Sequence, residues 1–520
     1  MGCGLIIATF AILIGSWWNM GWAIGVLNPL GGAMEELFDK CGSAAFDEFD
    51  LTWSFTTGLW TIGGAIGAVL GGPASNLWFI GRKRGLFVTC GLMALGSYLE
   101  AHPFFFAYAN DYNECAGDYD FILAGRFFSG IACGLTTAIA PVYLNEIAPK
   151  KWKGLFGNLN QFTCVIGNLF VWVVGLKQVT GSMDCKVPLN DDNECPAEEQ
   201  DIGPINRFSL TLGLPLVFCA VQIIILPFIW ESPSHLAKFS LDRAAKAAKY
   251  YGAEVEDDSG ADKPVYPRLG CCQPLFFKPL IAAIILHLSQ QLSGINAIFF
   301  YSTQIFTSAG VSDPEVATCF IGVISLIFCG ASLGLVGCAG GKTLHTYGIG
   351  LIGICAGIMA LLLGIFLEDD SYNQDAVSTS AIVFVLTFVA IFQCGPGPIP
   401  WGMAAELFDD TNRSRATAIG CLFNWGANTA VAFGFPLLEA SMGGHVFWIF
   451  CGFNIIFFFL LLFFVPETKG KTLREIQAFF IPSILDEPEN FAVVVPEYND
   501  AFKDEENKDK SELKSEECDF

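Results

Sequence analysis

Apolar runs long enough to cross a lipid bilayer recur along almost the whole of this 520-residue chain. A transmembrane helix needs about 20 predominantly apolar residues, so each of these runs predicts one span. Hydrophobic residues make up 53% of the chain and charged residues only 15%, which excludes a soluble globular protein. The sequence predicts an all-α membrane protein with twelve spans, numbered 1 to 12 here, at residues 5–27, 51–72, 86–108, 120–145, 155–176, 207–230, 278–306, 315–338, 347–367, 378–405, 416–438 and 446–465.

The basic residues are distributed unevenly between the two sides of the predicted bundle. With both termini placed inside, only five of the 28 Lys and Arg residues fall on the outer side: Lys40, Arg126, Lys177, Lys186 and Arg207. Because loops rich in Lys and Arg stay cytoplasmic, we expect a multi-pass protein with cytoplasmic termini, in the plasma membrane. The net charge of −23 argues against a nucleic-acid partner, and the lipid bilayer is the expected environment.

A polar stretch divides the spans into two sets of six. Residues 231–277 are too hydrophilic to insert and contain the helix-like sequence SLDRAAKAAKYY. Similar motifs at matching places in the two sets describe a transporter of two halves, with the substrate site at their interface. The predicted domains are an N-terminal six-helix half at 1–230, an intracellular helical linker at 231–277, a C-terminal six-helix half at 278–465, and a cytoplasmic tail at 466–520 that is disordered at its end.

Acidic and basic residues occur at the inner ends of corresponding spans in the two halves. Glu146 and Lys153 flank the connection after span 4, as Glu406 and Arg413 do after span 10. Pairing between the halves would close the inner side, and breaking the pairs would open it, which is alternating access. Simple charge capping of the span ends is the alternative, and both stay open. The predicted inner gate comprises Arg82, Glu146, Lys153, Glu231, Glu406, Arg413 and Glu467.

Span 7 carries uncharged hydrogen-bonding side chains within the apolar sequence QQLSGINAIFFYS, which begins at Gln290. Such groups are costly in lipid unless they face partners or a water-filled cavity, so they predict a path for a polar, neutral solute. Gln290, Gln291 and Asn296 would point in different directions from a straight helix that turns about 100° per residue. We therefore expect a break at Ser293–Gly294, and a second break in span 10 at residues 395–400, GPGPIP.

Cysteine and histidine patterns predict neither a metal site nor a cofactor. The sequence shows no zinc-type spacing, and only 5 His residues are present. Gly341-Lys342-Thr343 lacks the remaining glycine of a phosphate-binding loop, so an enzyme is not expected. Most of the 19 cysteines fall within apolar spans. Four lie on the predicted outer side and could form disulfides, with the pairing left open: Cys41, Cys115, Cys185 and Cys195.

Several motifs, in the same order along the chain, resemble those of the facilitative glucose transporters, which are sugar porters of the major facilitator superfamily. They are QQLSGINAIFFYSTQIF at 290–306, GPGPIPW at 395–401, GRFFSGIACGLTTAIAPVYLNEIAPKKWKG at 125–154, NWGAN at 424–428 and PETKGKT at 466–472. The resemblance covers roughly residues 5–480. It implies the two-half fold of that superfamily and facilitative transport of a hexose, with D-glucose expected, by alternating access.

The same resemblance assigns roles to individual residues. It implies a sugar site at Gln161, Gln290, Gln291, Asn296, Ser325, Gln393, Trp401 and Asn424, with Phe299, Phe392 and Trp425 lining the cavity. Amide groups both donate and accept, which suits sugar hydroxyls, and an indole ring suits the C–H face of the sugar. Hydrogen bonds worth about 1 kcal/mol each would give the weak, reversible binding that a carrier needs.

Three positions at or beside the implied sugar site depart from the family pattern. The family usually has Asn at the position of Ser325, Glu at that of Gln393 and Gln at that of His287. The shorter Ser325 would reach a sugar only through water, and His287 weakens the case for strict selection of glucose over fructose. The resemblance therefore does not identify the preferred hexose.

Two other functions compete with uniport. A proton-coupled symporter needs a titratable group along the path, and the symporters of this family carry an acid in span 1, where this chain has Ala23. Because span 1 has no Asp or Glu and Gln393 removes another acid, facilitated diffusion is favoured. A non-transporting sugar sensor would signal through its tail, but the acidic tail after Pro482 is short for that role.

Overall fold

The computed structural model describes residues 3–43, 46, 48–77, 79–109, 118–149, 153–176, 209–253, 269–367, 369 and 371–485, and in these residues the chain forms helices and turns without a β-strand. The segments corresponding to spans 1 to 12 are Cys3–Leu30, Phe49–Asn76, Gly81–Ala109, Tyr119–Ile147, Lys153–Val174, Ser209–Phe228, Pro274–Ser308, Pro314–Ala339, Gly341–Phe366, Gln374–Glu406, Asp410–Met442 and Phe447–Phe464. The shorter helices are Gly31–Cys41, Pro233–Ala237, Leu241–Tyr251 and Leu473–Phe480.

Nine helical stretches of the described residues are long and apolar enough to cross a membrane. One of them, Thr411–Phe464, holds both span 11 and span 12, which separate at Gly443. The two remaining spans are supplied by the shorter apolar helix Leu159–Val174 and by the helix Gly81–Ala109. The predicted twelve-span, all-α membrane fold is therefore confirmed.

The spans pack in two groups, 1 to 6 and 7 to 12. In the first group span 4 lies against spans 2 and 3, and span 1 lies against span 5. In the second group span 9 lies against spans 10 and 12, and span 7 lies against span 11. Span 2 packs against span 11, and span 5 packs against span 8, so the two groups meet along two lines.

Two names locate features along the bundle. The basic end is the end that carries Arg82 and Arg413, at the start of spans 3 and 11. The far end is the opposite one, where span 1 finishes near Asn28 and span 7 finishes at Ser308.

Glycines let the backbones of spans 2 and 4 come into direct contact. A Cβ at Gly134 would lie 2.0 Å from the carbonyl oxygen of Gly64, and a Cβ at Gly67 would lie 2.2 Å from that of Ile131. Only a residue without a side chain fits such a contact, which is common between membrane helices. The glycine series of span 2 therefore serves helix packing.

The linker contains the helix that its sequence predicts. Ser240 caps the start of Leu241–Tyr251 by accepting a hydrogen bond from the backbone N–H of Arg243 at 3.4 Å. Gly252 ends the helix in the left-handed conformation, with φ of 68°.

Some predictions concern parts of the chain outside the described residues. The tail after residue 485 is one of them. Cys115, Cys185, Cys195 and the side chain of Cys41 also lie outside, so the disulfides stay a prediction.

Replacing Gly67 with Ala should destabilise the bundle, because the added methyl group would overlap the carbonyl oxygen of Ile131. An extra carbon forced into packed space costs about 1–3 kcal/mol. Gly72→Ala is the matched control in the same helix, since nothing lies within 4 Å of a Cβ there. Thermal unfolding in detergent should give a lower midpoint for Gly67→Ala only, and equal midpoints would contradict a packing role for Gly67.

Candidate functional site

Span 7 is interrupted in its middle. One helix ends at Gln291 and the next begins at Ile295. Gly294 between them has φ of 99°, in the left-handed region that favours glycine. A Cβ at Gly294 would also lie 2.8 Å from the ring of Phe450. The predicted break at Ser293–Gly294 is confirmed.

The break turns amide side chains of both helices toward Asn424 of span 11. Asn424 donates to the side-chain oxygen of Gln290 at 2.7 Å and accepts from the side-chain nitrogen of Gln291 at 2.7 Å. Asn296, on the second helix of span 7, donates to the side-chain oxygen of Gln291. All four residues are at most 9% exposed. We call Gln290, Gln291, Asn296 and Asn424 the amide network.

Span 10 is interrupted beside this network. Its first helix ends at Cys394 and its second begins at Ile399, as the Gly and Pro residues between them predict. A break leaves backbone carbonyl groups without helical donors. Gln290 donates to the carbonyl oxygens of Pro396 and Gly397, at 3.2 and 2.6 Å. The amide network therefore contacts both interrupted helices.

Gln393 and Trp401 flank the break in span 10. Gln393 is fully buried, and neither end of its amide has a hydrogen-bond partner within the described part of the chain. Trp401 is half-buried, and its ring meets the His287 ring edge-on with 5.2 Å between centroids. Nδ1 of His287 lies 3.3 Å from the side-chain nitrogen of Asn424. His287 therefore connects Trp401 to the amide network.

The aromatic residues expected to line a cavity are all buried. The Phe299 ring is 6.0 Å from that of Trp172 in span 5, and the Trp425 ring is 5.2 Å from that of Trp60 in span 2. Both pairs cross between the two groups of spans. Phe392 lies against the break in span 10. These rings give the region apolar walls beside its polar amides.

No described hydrogen bond joins Gln161 or Ser325 to the amide network. Gln161 is half-buried on span 5. Ser325 is buried on span 8, and its hydroxyl has no hydrogen-bond partner among the residues that the structure covers. Since spans 5 and 8 pack together, both residues belong to the second line of contact between the groups. Their role in binding stays a prediction.

Asn28 and Tyr301, to which the family resemblance assigned no role, join the two groups of spans at the far end. Asn28 donates to the carbonyl of Phe299 at 3.0 Å and to the hydroxyl of Ser302 at 2.7 Å. Tyr301 donates to the hydroxyl of Thr57 in span 2 at 2.9 Å. The second helix of span 7 is thereby held against spans 1 and 2. The sequence feature that could have predicted these contacts is Asn28, a polar residue at the end of an apolar span.

A buried ion pair lies between spans 3 and 4. Glu100 and Arg126 are 4% and 1% exposed, and a Glu100 oxygen lies 4.0 Å from Nη1 of Arg126. Arg126 also donates to the carbonyl of Ala23 at 3.0 Å and lies over the Trp60 ring, while the Ser129 hydroxyl donates to Glu100 at 2.8 Å. Charge inside a membrane is costly unless it is paired, and it often marks function. A search for acids in span 1 alone misses Glu100.

Charged residues form a cluster at the basic end of the first group. Arg82 pairs with Glu146 at 2.8 Å and lies 3.0 Å from Nδ1 of His235. Glu231 accepts from the backbone N–H of Arg82 at 3.1 Å, and the hydroxyl of Ser232 donates to Glu146. The cluster ties the start of span 3 and the end of span 4 to the linker.

Arg413 and Glu467 of the predicted inner gate have described contacts within the second group. Arg413 donates to the carbonyl of Ala405 at the end of span 10 and to that of Phe408 in the turn that follows. Glu467 accepts from backbone N–H groups just after span 12, and Glu406 is exposed. The side chain of Lys153 is outside the described residues. Ion pairing between the two groups at the basic end stays a prediction.

Acid should loosen the cluster around His235. Burial, together with the charges of Arg82 and Lys238, lowers the pKa of His235 from 6.5 to about 4. Since the folded protein resists protonation of this ring, the stability contributed by the neutral form is complete above pH 6.5 and is lost as the pH falls toward about 4. Glu146 and Glu231 face the same cluster, so the test needs a comparison at each pH.

His235→Asn provides that comparison, because it keeps an acceptor for Arg82 and does not titrate. Thermal unfolding of the two proteins in detergent should show a steeper fall of the wild-type midpoint between pH 6.5 and about 4. Parallel curves would mean that His235 does not cause the acid sensitivity.

Comparison with known proteins identifies relatives along nearly the whole chain. Residues 7–480 match the family described as "Sugar (and other) transporter". Human solute carrier family 2, facilitated glucose transporter member 4, is 34% identical over 510 residues, which cover 93% of this chain and 92% of that protein. Mouse facilitated glucose transporter member 3 is 34% identical over 498 residues, which cover 92% of each.

Solved structures share the fold. The xylose transporter XylE of E. coli, in a partially occluded inward-open conformation, matches with a TM-score of 0.71 and 21% identity over 90% of this chain and 99% of that one. The proton:xylose symporter XylE bound to 6-bromo-6-deoxy-D-glucose matches with a TM-score of 0.70 and 24% identity over 92% and 99% of the two chains. The fold is thus that of the major facilitator superfamily, and the chain belongs to the sugar transporter family.

Proposed function

We propose that this protein carries hexoses, D-glucose foremost, across a membrane by facilitated diffusion. The observation that carries the proposal is the amide network between the interrupted helices of spans 7 and 10. Its side chains both donate and accept hydrogen bonds and have no net charge, which suits the hydroxyl groups of a neutral sugar. The relatives named as facilitated glucose transporters support the same substrate class.

Sugar binding at this network would couple the two helices of span 7. Gln290 and Gln291 lie on the first helix, and Asn296 lies on the second. In the structure these amides bond one another, so a sugar would replace those bonds with its own hydroxyls at little net cost. Asn28 and Tyr301 hold the second helix at the far end, and releasing them would open that end. Alternating access follows when the basic end opens instead.

The orientation and setting of the protein belong to the same proposal. The distribution of Lys and Arg favours a cytoplasmic basic end with both termini inside, in the plasma membrane. The two halves are 1–230 and 278–465, joined by the linker at 231–277 and followed by the tail at 466–520. The protein is a transporter rather than an enzyme, and its partners are the sugar and the bilayer.

Asn424→Leu should weaken sugar binding, because it removes the side chain that bonds both Gln290 and Gln291. Loss of hydrogen bonds worth about 1 kcal/mol each predicts a rise of roughly ten-fold in KM. Thr387→Val is the control, since Thr387 is exposed on span 10 and bonds the carbonyl of Val383 in its own helix.

The measurement is uptake of labelled D-glucose by cells that lack other sugar transporters. Competition by galactose, mannose and fructose would rank the substrates. Equal KM values for Asn424→Leu and the wild type would show that the amide network does not bind the sugar.

One observation favours a second candidate, proton-coupled symport. Glu100 is an acid buried within the spans beside Arg126, and a symporter needs such a group. Its carboxylate lies between spans 3 and 4, whereas the amide network lies on spans 7 and 11. Uniport remains the proposal because the contacts of Glu100 are made within the first group of spans.

Uniport predicts that sugar inside vesicles carrying the purified protein reaches the outside concentration and stops there. An imposed proton gradient should not change this end point, because no proton moves with the sugar. Glu100→Gln should reach the same end point at its own rate. Accumulation above equality in the wild type, lost in Glu100→Gln, would establish symport instead.

A further inference from the structure

Asn454 is the one amide in span 12, whose sequence FWIFCGFNIIFFFLLLFF is otherwise apolar. The side chain is fully buried. Its nitrogen donates to the carbonyl of Ser293 in span 7 at 3.0 Å and to the carbonyl of Phe450 in its own helix at 2.8 Å. An amide inside a membrane is costly without partners, and the break in span 7 supplies one of the partners of Asn454.

The carbonyl of Ser293 is a group that the break separates from its helical donor. In a continuous helix it would accept the backbone N–H of Ala297, four residues further along the chain. Here Gly294 turns the chain, and the second helix begins at Ile295. Asn454 supplies a donor to this carbonyl within the membrane, where an unpaired backbone group is costly.

Spans 9 and 12 enclose this contact tightly. The ring of Phe450 lies 2.8 Å from the position that a Cβ on Gly294 would occupy. The Cβ of Asn454 lies 3.0 Å from the position that a Cβ on Gly353 in span 9 would occupy. A donor fixed in this way stabilises the interrupted form of span 7. It adds nothing to a continuous helix, in which the Ser293 carbonyl already has its backbone partner.

We propose that Asn454 is a positioning residue for transport, which holds span 7 in its interrupted form and thereby keeps Gln291 and Asn296 in the amide network. The inference rests on the proposed function, since sugar binding is the role proposed for that network. The second helix of span 7 also carries Tyr301, which contacts span 2 at the far end. The break that Asn454 holds is therefore also the pivot about which this helix would turn.

The test is D-glucose influx by cells that express Asn454→Leu, a change of similar volume that removes the donor. A continuous span 7 would not assemble the amide network, so the apparent affinity falls with the fraction of interrupted form. Leaving the buried carbonyl of Ser293 unpaired shifts the equilibrium between the interrupted and the continuous form of span 7 by about ten-fold. KM should rise, by up to about ten-fold, while Vmax per transporter at the cell surface stays within about two-fold of the wild type.

Two further variants separate positioning from general stability. Asn454→Gln keeps an amide donor and should return KM toward the wild-type value. Asn19→Leu is the matched control, because Asn19 is an equally buried amide that bonds the carbonyl of Gly15 in its own helix and Sγ of Cys219 in span 6, and its KM should be unchanged. A merely structural role for Asn454 would lower the amount of transporter, and hence total Vmax, at unchanged KM.

A wild-type KM in Asn454→Leu overturns the inference. If that variant does not reach the surface, Asn454→Ser takes its place, since a serine hydroxyl is too short to reach the carbonyl of Ser293. The same rise in KM is then expected, and a wild-type KM again overturns the inference. Absence of sugar uptake by the wild type would refute the proposed function instead, so the two failures are distinguishable.

Discussion

The pairing of backbone carbonyl and N–H groups inside the membrane is the constraint on which the rest of this structure depends. A continuous helix meets it by itself, but spans 7 and 10 are each interrupted at membrane depth. Side chains from other places then supply the missing donors. Gln290 bonds carbonyl groups at the break in span 10, and Asn454 bonds one at the break in span 7.

The same constraint explains why the candidate sugar site is built from amides. An amide can satisfy a backbone carbonyl and still offer its oxygen to another group, as Gln290 does when it accepts from Asn424. The site is therefore filled with hydrogen bonds that are individually weak and can be exchanged for those of a sugar. Such exchange suits a carrier, which must release its substrate as readily as it binds it.

Charged groups in the interior of the bundle are arranged differently from those at its basic end. Glu100 and Arg126 are buried among the spans, where each needs the other because the surroundings exclude water. Arg82 and Glu146 pair at the basic end and also bond residues of the linker. The first arrangement organises the interior of one half, and the second attaches the linker to that half. Both ion pairs join residues of the first half.

Local features of the chain were readable from sequence because their cause is local. The length of each apolar run predicts a span, and the glycines and prolines at Gly294 and residues 395–400 predict the two breaks, since backbone conformation depends on the residues at that point. The resemblance to sugar porters also indicated the amides that meet in the network. It did not indicate the far-end contacts of Asn28, because their partners lie 271 and 274 residues away.

The sequence by itself determined the twelve spans, the breaks in spans 7 and 10, and the neutral, hydrogen-bonding character of the candidate site. Only the tertiary structure decided which groups meet, such as Asn424 with Gln290, Glu100 with Arg126 and Asn454 with the carbonyl of Ser293. The physical reason is that a polar side chain in a membrane must have a partner, but its own sequence neighbourhood does not specify which helix will supply it. Helix packing makes that choice, and it depends on the whole bundle at once.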